Sequence, residues 1–157
     1  MTWIHELLDG NLIIEDLQAT DKMGVIREFA ALLHMAGKVK DEGELVRVVL
    51  ERESQGSTGI GEGIAIPHAK SHAISEMVVA FGRYRSGVDF QSLDGKPAYL
   101  FFLLVTPEKK PEDHLKTLAR LSRIMRNHAL REQLRCAAGR LDLQRLILDE
   151  DRKYSTK

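Results

Sequence analysis

The sequence predicts an α/β fold in which a β-sheet carries helices against both of its faces. Three observations point there. The run Tyr99-Leu100-Phe101-Phe102-Leu103-Leu104-Val105 is apolar throughout, as expected of a central strand covered on both sides. Short strand-like runs alternate along the chain with longer segments whose apolar residues recur at helical spacing. A length of 157 residues with 43% hydrophobic and 29% charged residues describes an ordinary globular domain able to bury a core. No repeat, low-complexity tract or Pro/Ser-rich linker divides the chain, so a single domain over residues 1–157 is expected.

The elements follow in order. Leu12-Ile13-Ile14 reads as a short strand. Thr20 or Asp21 caps a helix to about Ala36, with Ile26, Phe29, Leu33 and Ala36 on one face and Gly37 as its stop. Asp41 followed by Glu44 is a capping-box-like start for a second helix ending near Glu53. A glycine-rich loop and an Ile64–Ile66 strand come next, then a strand from Met77 to Tyr84 and a turn at Ser86-Gly87. After the apolar strand, Pro111 begins a helix to about Asn127. Two shorter helical stretches, His128 to Ala138 and Leu141 to about Asp149, complete the chain.

Composition narrows the function. Lysine plus arginine (23) equals aspartate plus glutamate (23), so no net field favours nucleic acid or an anionic membrane. The longest apolar run, Ala98 to Val105, is too short for a transmembrane segment. Trp3-Ile4-His5-Glu6 is amphipathic and contains an acid, unlike a signal peptide. Cys136 is the single cysteine, which excludes an internal disulfide and fits a reducing cytoplasm.

The most informative stretch is RESQGSTGIGEGIAIPHA, Arg52 to Ala69. Gly56, Gly59, Gly61 and Gly63 let backbone approach a bound group closely. Pro67 fixes φ and removes a donor just before His68, which is expected to sit at a rigid strand exit. Two further polar residues fall on apolar stripes. Arg52 lies in register with Leu45, Val48 and Val49, whereas Arg47 and Glu51 should project to the opposite side. His114 lies in the first turn of its helix, aligned with Leu118, Leu121 and Met125, where free N–H groups favour an anion. The plainer alternatives are a snorkelling or salt-bridged arginine, and a histidine bonded to a nearby carbonyl or carboxylate.

Several chemistries fail on spacing. The glycines do not complete G-x-G-x-x-G, because Ile64 stands where the last is needed, and no Gly-Lys-Ser/Thr builds a P-loop. There is no Gly-x-Ser-x-Gly elbow and no His-Glu-x-x-His motif. His68 and His72 could still pair on a metal if they shared a helix face. His5, His34 and His128 have no companions. What remains is covalent catalysis on histidine: a neutral imidazole attacks phosphorus and carries the phosphoryl group as a phosphoramidate. Arg52, the N–H groups of the loop at Gly59 and Gly61, the Ser57 and Thr58 hydroxyls and His114 would stabilise the equatorial oxygens, with no metal demanded.

The string STGIGEGIAIPH resembles the active-site signature of the fructose- and mannitol-type enzyme IIA domains of the bacterial phosphoenolpyruvate-dependent phosphotransferase system. The likeness extends to Arg52-Glu53, Gly87-Val88-Asp89-Phe90, Leu93-Asp94-Gly95 and His114-Leu115, and covers roughly Leu7 to Leu148. It implies a mixed β-sheet flanked by helices and no cofactor. It also implies that His68 is phosphorylated at Nε2, that Arg52 and His114 flank it, and that Ser57 and Thr58 line the pocket. The donor would be the phosphohistidine of HPr or an HPr-like carrier. A chain with neither IIB nor membrane IIC segments resembles the nitrogen-regulatory branch, whose phosphorylation state tunes a downstream regulatory protein. The alternative is a sugar-specific IIA subunit that passes phosphate to a IIB domain for uptake.

Overall fold

The computed structural model describes residues 4–154. In chain order these form α1 (Ile4–Leu7), a 3-10 turn (Gly10–Leu12), β1 (Ile13–Ile14), α2 (Lys22–Met35), α3 (Glu42–Ser54), β2 (Gly59–Gly61), β3 (Ile64–Ala65) and β4 (His68–Ser71). The long strands β5 (Val78–Val88) and β6 (Ala98–Pro107) follow, then α4 (Pro111–Ile124), α5 (His128–Cys136) and α6 (Arg140–Lys153).

β6 is the spine of the molecule. Phe101 to Val105 are at most 2% exposed, as a strand covered on both faces requires. It runs antiparallel to β5 on one side and parallel to β3 and β4 on the other. The sheet is therefore mixed, in the order β1-β5-β6-β3-β2, with β4 also on β6. Adjacent residues of β5 show that both faces carry helices. A Cβ on Gly82 would meet Phe29 of α2, whereas the Arg83 guanidinium reaches the carbonyls of Leu134 and Ala137 at the end of α5.

Arg83 is fully buried and also donates through Nε to the Glu15 carbonyl. It thus ties the orphan carbonyls at the α5 C-terminus to the sheet and to the segment after β1. The N-terminus of α6 lacks a side-chain cap of its own, and Glu15 fills that role by accepting from the Arg140 amide at 2.9 Å.

Capping follows the sequence closely. Asp21 accepts from the Gly24 amide at 2.8 Å and Asp41 from the Glu44 amide at 3.0 Å. Gly37, at φ +74°, closes α2 as the expected stop.

Four expectations need correcting. Ser86-Gly87 is not a turn between strands: β5 continues to Val88, and the ladder to β6 shifts register between Arg83 and Val88. Gly87 takes φ +84° at that irregularity, where a Cβ would strike Pro97 and Tyr99. The Pro111 helix stops at Ile124, because Asn127 turns extended and caps α5 through the Leu130 amide. His68 opens strand β4 instead of ending one, and His72 lies just beyond its far end, so the two share no helix face. No helix among the described residues is long and apolar enough to cross a membrane.

Candidate active site

His68 owes its position to backbone pairing on β6. It stands opposite Leu104, and the Leu104 amide donates to the Pro67 carbonyl at 3.0 Å. Its Nδ1 lies 2.8 Å from the Ile66 carbonyl. A carbonyl can only accept, so Nδ1 carries the proton and the lone pair of the neutral ring is on Nε2. Burial is the largest influence on this ring and pushes its pKa below the ordinary histidine value. The Arg52 charge acts in the same direction, while the Ile66 bond and Glu53 oppose it. Near neutral pH the ring is uncharged and nucleophilic.

Two residues beyond Leu104, Thr106 places its hydroxyl 2.8 Å from Nδ1 of His114, in the first turn of α4. One strand therefore registers both imidazoles, whose centroids are 5.4 Å apart with planes inclined by 55°. His114 is only 5% exposed. Burial, with the neighbouring His68 and Lys70 adding to it, lowers its pKa to about 4.

This makes the fold acid-sensitive. Unfolded, the His114 ring binds a proton near 6.5, but folded only near about 4. Between those values the unfolded chain holds more protons, so stability rises with pH across that window. Its contribution is complete above pH 6.5 and is lost as pH falls toward 4, by about 3 kcal/mol. Urea denaturation at pH 7, 5.5 and 4.5 checks this, with His114→Gln expected to flatten the slope.

Arg52 occupies the last turn of α3 and is half-buried, with Nη1 donating to the Gly56 carbonyl at 2.8 Å. Arg52, His68 and His114 line one cavity of about 480 Å³, with Val48 and Leu118 as its apolar wall and Lys70 beside His68. The three residues singled out from sequence thus meet at a single opening. Arg47 and Glu51, expected on the far side of α3, stand instead at the rim of this cavity. There Arg47 is held between Glu44 at 2.7 Å and Glu51 at 2.9 Å.

Ser57, Thr58, Gly59 and Gly61 are placed differently from the expectation, since none of them lines that cavity. The Ser57 hydroxyl donates to the Phe90 carbonyl at 2.6 Å and accepts from the Gly59 amide. The Thr58 hydroxyl donates to the Glu53 carboxylate. Gly59 is pressed against Ser92, and Gly61, at φ +97°, against Asp94. These groups brace the loop behind Arg52, where both hydroxyls already donate to protein acceptors.

The sequence reading passed over the residues that complete the support. Glu53 is 8% exposed and binds Lys22 Nζ at 2.8 Å as well as the Thr58 amide, which fixes the end of α3. Thr106 is the first polar residue after the apolar run of β6, a signal that was available. Among the described residues there is no group of three or more His, Cys, Asp or Glu side chains placed to hold a metal ion.

Residues 6–150 match the family described as phosphoenolpyruvate-dependent sugar phosphotransferase system, EIIA 2. The chain belongs to that family. As an EIIA component it is a phosphotransfer protein.

Among its relatives, the fructose-specific EIIABC component of Bacillus subtilis is 44% identical over 131 residues, 83% of this chain and 21% of the longer protein. The chain thus spans about a fifth of that relative. A nitrogen regulatory protein of Bradyrhizobium diazoefficiens is 36% identical over 135 residues, covering 85% of this chain and 87% of the relative. The crystal structure of nitrogen regulatory protein IIA-Ntr from Neisseria meningitidis superimposes with a TM-score of 0.85 at 30% identity, over 92% of this EIIA domain and 98% of the other.

Proposed function

We propose that His68 accepts a phosphoryl group at Nε2 from the phosphohistidine of HPr or an HPr-like carrier, and that the protein serves in the cytoplasm as a nitrogen-regulatory-type IIA. The observation that carries this is the Nδ1–H bond from His68 to the Ile66 carbonyl. It leaves Nε2 as the one ring atom able to attack, on a residue lining the same cavity as Arg52 and His114.

The step balances without a cofactor. The Nε2 lone pair forms the new N–P bond as the donor's N–P bond breaks, and that bonding pair returns to the donor nitrogen. A donor ring protonated on its other nitrogen leaves as neutral imidazole. The His68 ring keeps its Nδ1 proton and becomes cationic, a charge that the Ile66 carbonyl stabilises. Arg52 offsets the negative oxygens of the group in flight. The Thr106 hydroxyl lies 2.8 Å from Nδ1 of His114, and in the tautomer that accepts this bond the ring carries its proton on Nε2, free to be donated to a phosphoryl oxygen.

Incubation with phosphoenolpyruvate, enzyme I and HPr tests the proposal. Acid-labile phosphate is expected on His68 by mass spectrometry, and label mapped to any other residue would refute it. Arg52→Ala should slow charging by about 100-fold. Its thermal midpoint should move only a few degrees, because among the described residues the side chain makes one hydrogen bond, to a loop carbonyl.

The Bradyrhizobium and Neisseria likenesses, which extend over nearly the whole of those proteins, support the regulatory role. The 44% identity to a fructose-specific component favours a second reading, in which the phosphate passes to a IIB domain for sugar uptake. Affinity capture with wild type, His68→Asp and His68→Ala separates the two. Regulation expects partner sets that differ among the three, whereas uptake expects rapid discharge onto a IIB domain.

A further inference from the structure

β4 presents one more group to the cavity. Side chains alternate along a strand, so Lys70 lies on the same side as His68, while the buried Ala69 and Ser71 face the other way. Lys70 lines the cavity together with Arg52, His68 and His114.

The cations around this opening differ in what already occupies them. Arg47 is engaged by Glu44 and Glu51. Arg52 is anchored through Nη1 on the Gly56 carbonyl. The Lys70 side chain is exposed and, among the described residues, makes no hydrogen bond or ion pair. Its charge nevertheless reaches the site, since it contributes to holding the His114 ring neutral.

A transferring phosphoryl group is dianionic and travels between two nitrogens, so the counter-charge that serves it best can move with it. A guanidinium tied to a backbone carbonyl is fixed in place. An ammonium on a four-carbon stem with three rotatable donors can follow.

We propose that Lys70 binds the phosphoryl group during transfer, donating from Nζ to one of its non-bridging oxygens. No bond to lysine forms or breaks, and its proton stays on nitrogen. This rests on His68 being the acceptor, and it adds a catalytic contact that Arg52 and His114 do not provide.

Single-turnover charging by phosphorylated HPr tests it, with wild type, Lys70→Ala and Lys70→Arg measured across donor concentration. Lys70→Ala is expected to lower the rate at saturating donor by about 10- to 100-fold, with Lys70→Arg recovering part of it. The affinity for unphosphorylated HPr should stay within about twofold of wild type, since the role is in transfer and not in docking. A wild-type saturating rate in Lys70→Ala would overturn the proposal. So would a loss confined to affinity, which would make Lys70 a docking residue only. In both of those cases wild type still labels at His68, so the acceptor assignment survives. Failure of wild type to label at His68 would instead remove the acceptor and this contact together. Lys70 is exposed, and unchanged thermal midpoints in both variants are expected to confirm intact folds.

Discussion

His68→Ala is expected to abolish phosphoryl uptake, a loss of more than about a thousandfold that leaves no slower route behind. The reason is geometric. Among the described residues His114 is the imidazole in ring contact with His68, and its Nδ1 already lies against the Thr106 hydroxyl. When that hydroxyl donates, the remaining nitrogen bears a proton and has no lone pair to attack with. His114 is also 5% exposed, too enclosed to meet a donor protein's ring. Stability should change little, because the contact that sets the strand is the Leu104 amide to the Pro67 carbonyl, which the substitution leaves in place. Label retention after brief incubation, followed by acid lability, measures the effect. Undiminished label in the alanine variant would overturn the assignment of the acceptor.

Arg83→Ala should be the most damaging change away from the site, at about 3–5 kcal/mol. The wild-type guanidinium satisfies carbonyls from Glu15, Leu134 and Ala137, all in surroundings that exclude water from the side chain. Removing it strands those acceptors and opens a cavity beneath α5. Lysine cannot replace it, since a single ammonium cannot reach carbonyls arranged around a planar fork. For a chain of this size the thermal midpoint should fall by roughly 10–15 °C. At temperatures below the midpoint, charging of His68 should be unaffected, because α5 does not contribute to the cavity. A midpoint within about 2 °C of wild type would show that the carbonyls find other partners.

The sequence carried the architecture where signals were long or chemically strong. The unbroken apolar run identified β6, and Asp21, Asp41 and Gly37 marked helix ends through interactions local to the chain. Short pieces were missed. α1, β2 and β4 each span four residues or fewer, too short for any periodicity, and they exist because neighbours pair with them. Gly87 misled in a different way. Its positive φ was real, but the tertiary pairing with β6 turned a nominal turn signal into a strand irregularity.

At the site, Arg52 and His114 were legible as polar residues on apolar stripes. Ser57 and Thr58 were not, because whether a hydroxyl faces a cavity or a carbonyl depends on Phe90 and Glu53, and Phe90 lies far along the chain. The misplacement of Arg47 and Glu51 has a simple cause. A helical wheel tells which residues share a face, but a cavity at the edge of a helix can draw on its flank as well.

Because a single strand aligns both imidazoles, chain length is constrained unequally around them. From Leu104, opposite His68, to His114 the path runs through Thr106 and a tight turn closed by the Lys110 amide on the Pro107 carbonyl. One residue inserted there must bulge from the turn or be absorbed into α4, rotating its first turn by roughly 100°. Either outcome carries the second ring away from the first. An insertion between His72 and Met77 lengthens only the excursion from β4 to β5 and leaves the ring spacing intact. Grafted tags or reporter loops therefore belong in that excursion, and length variation among relatives should concentrate there.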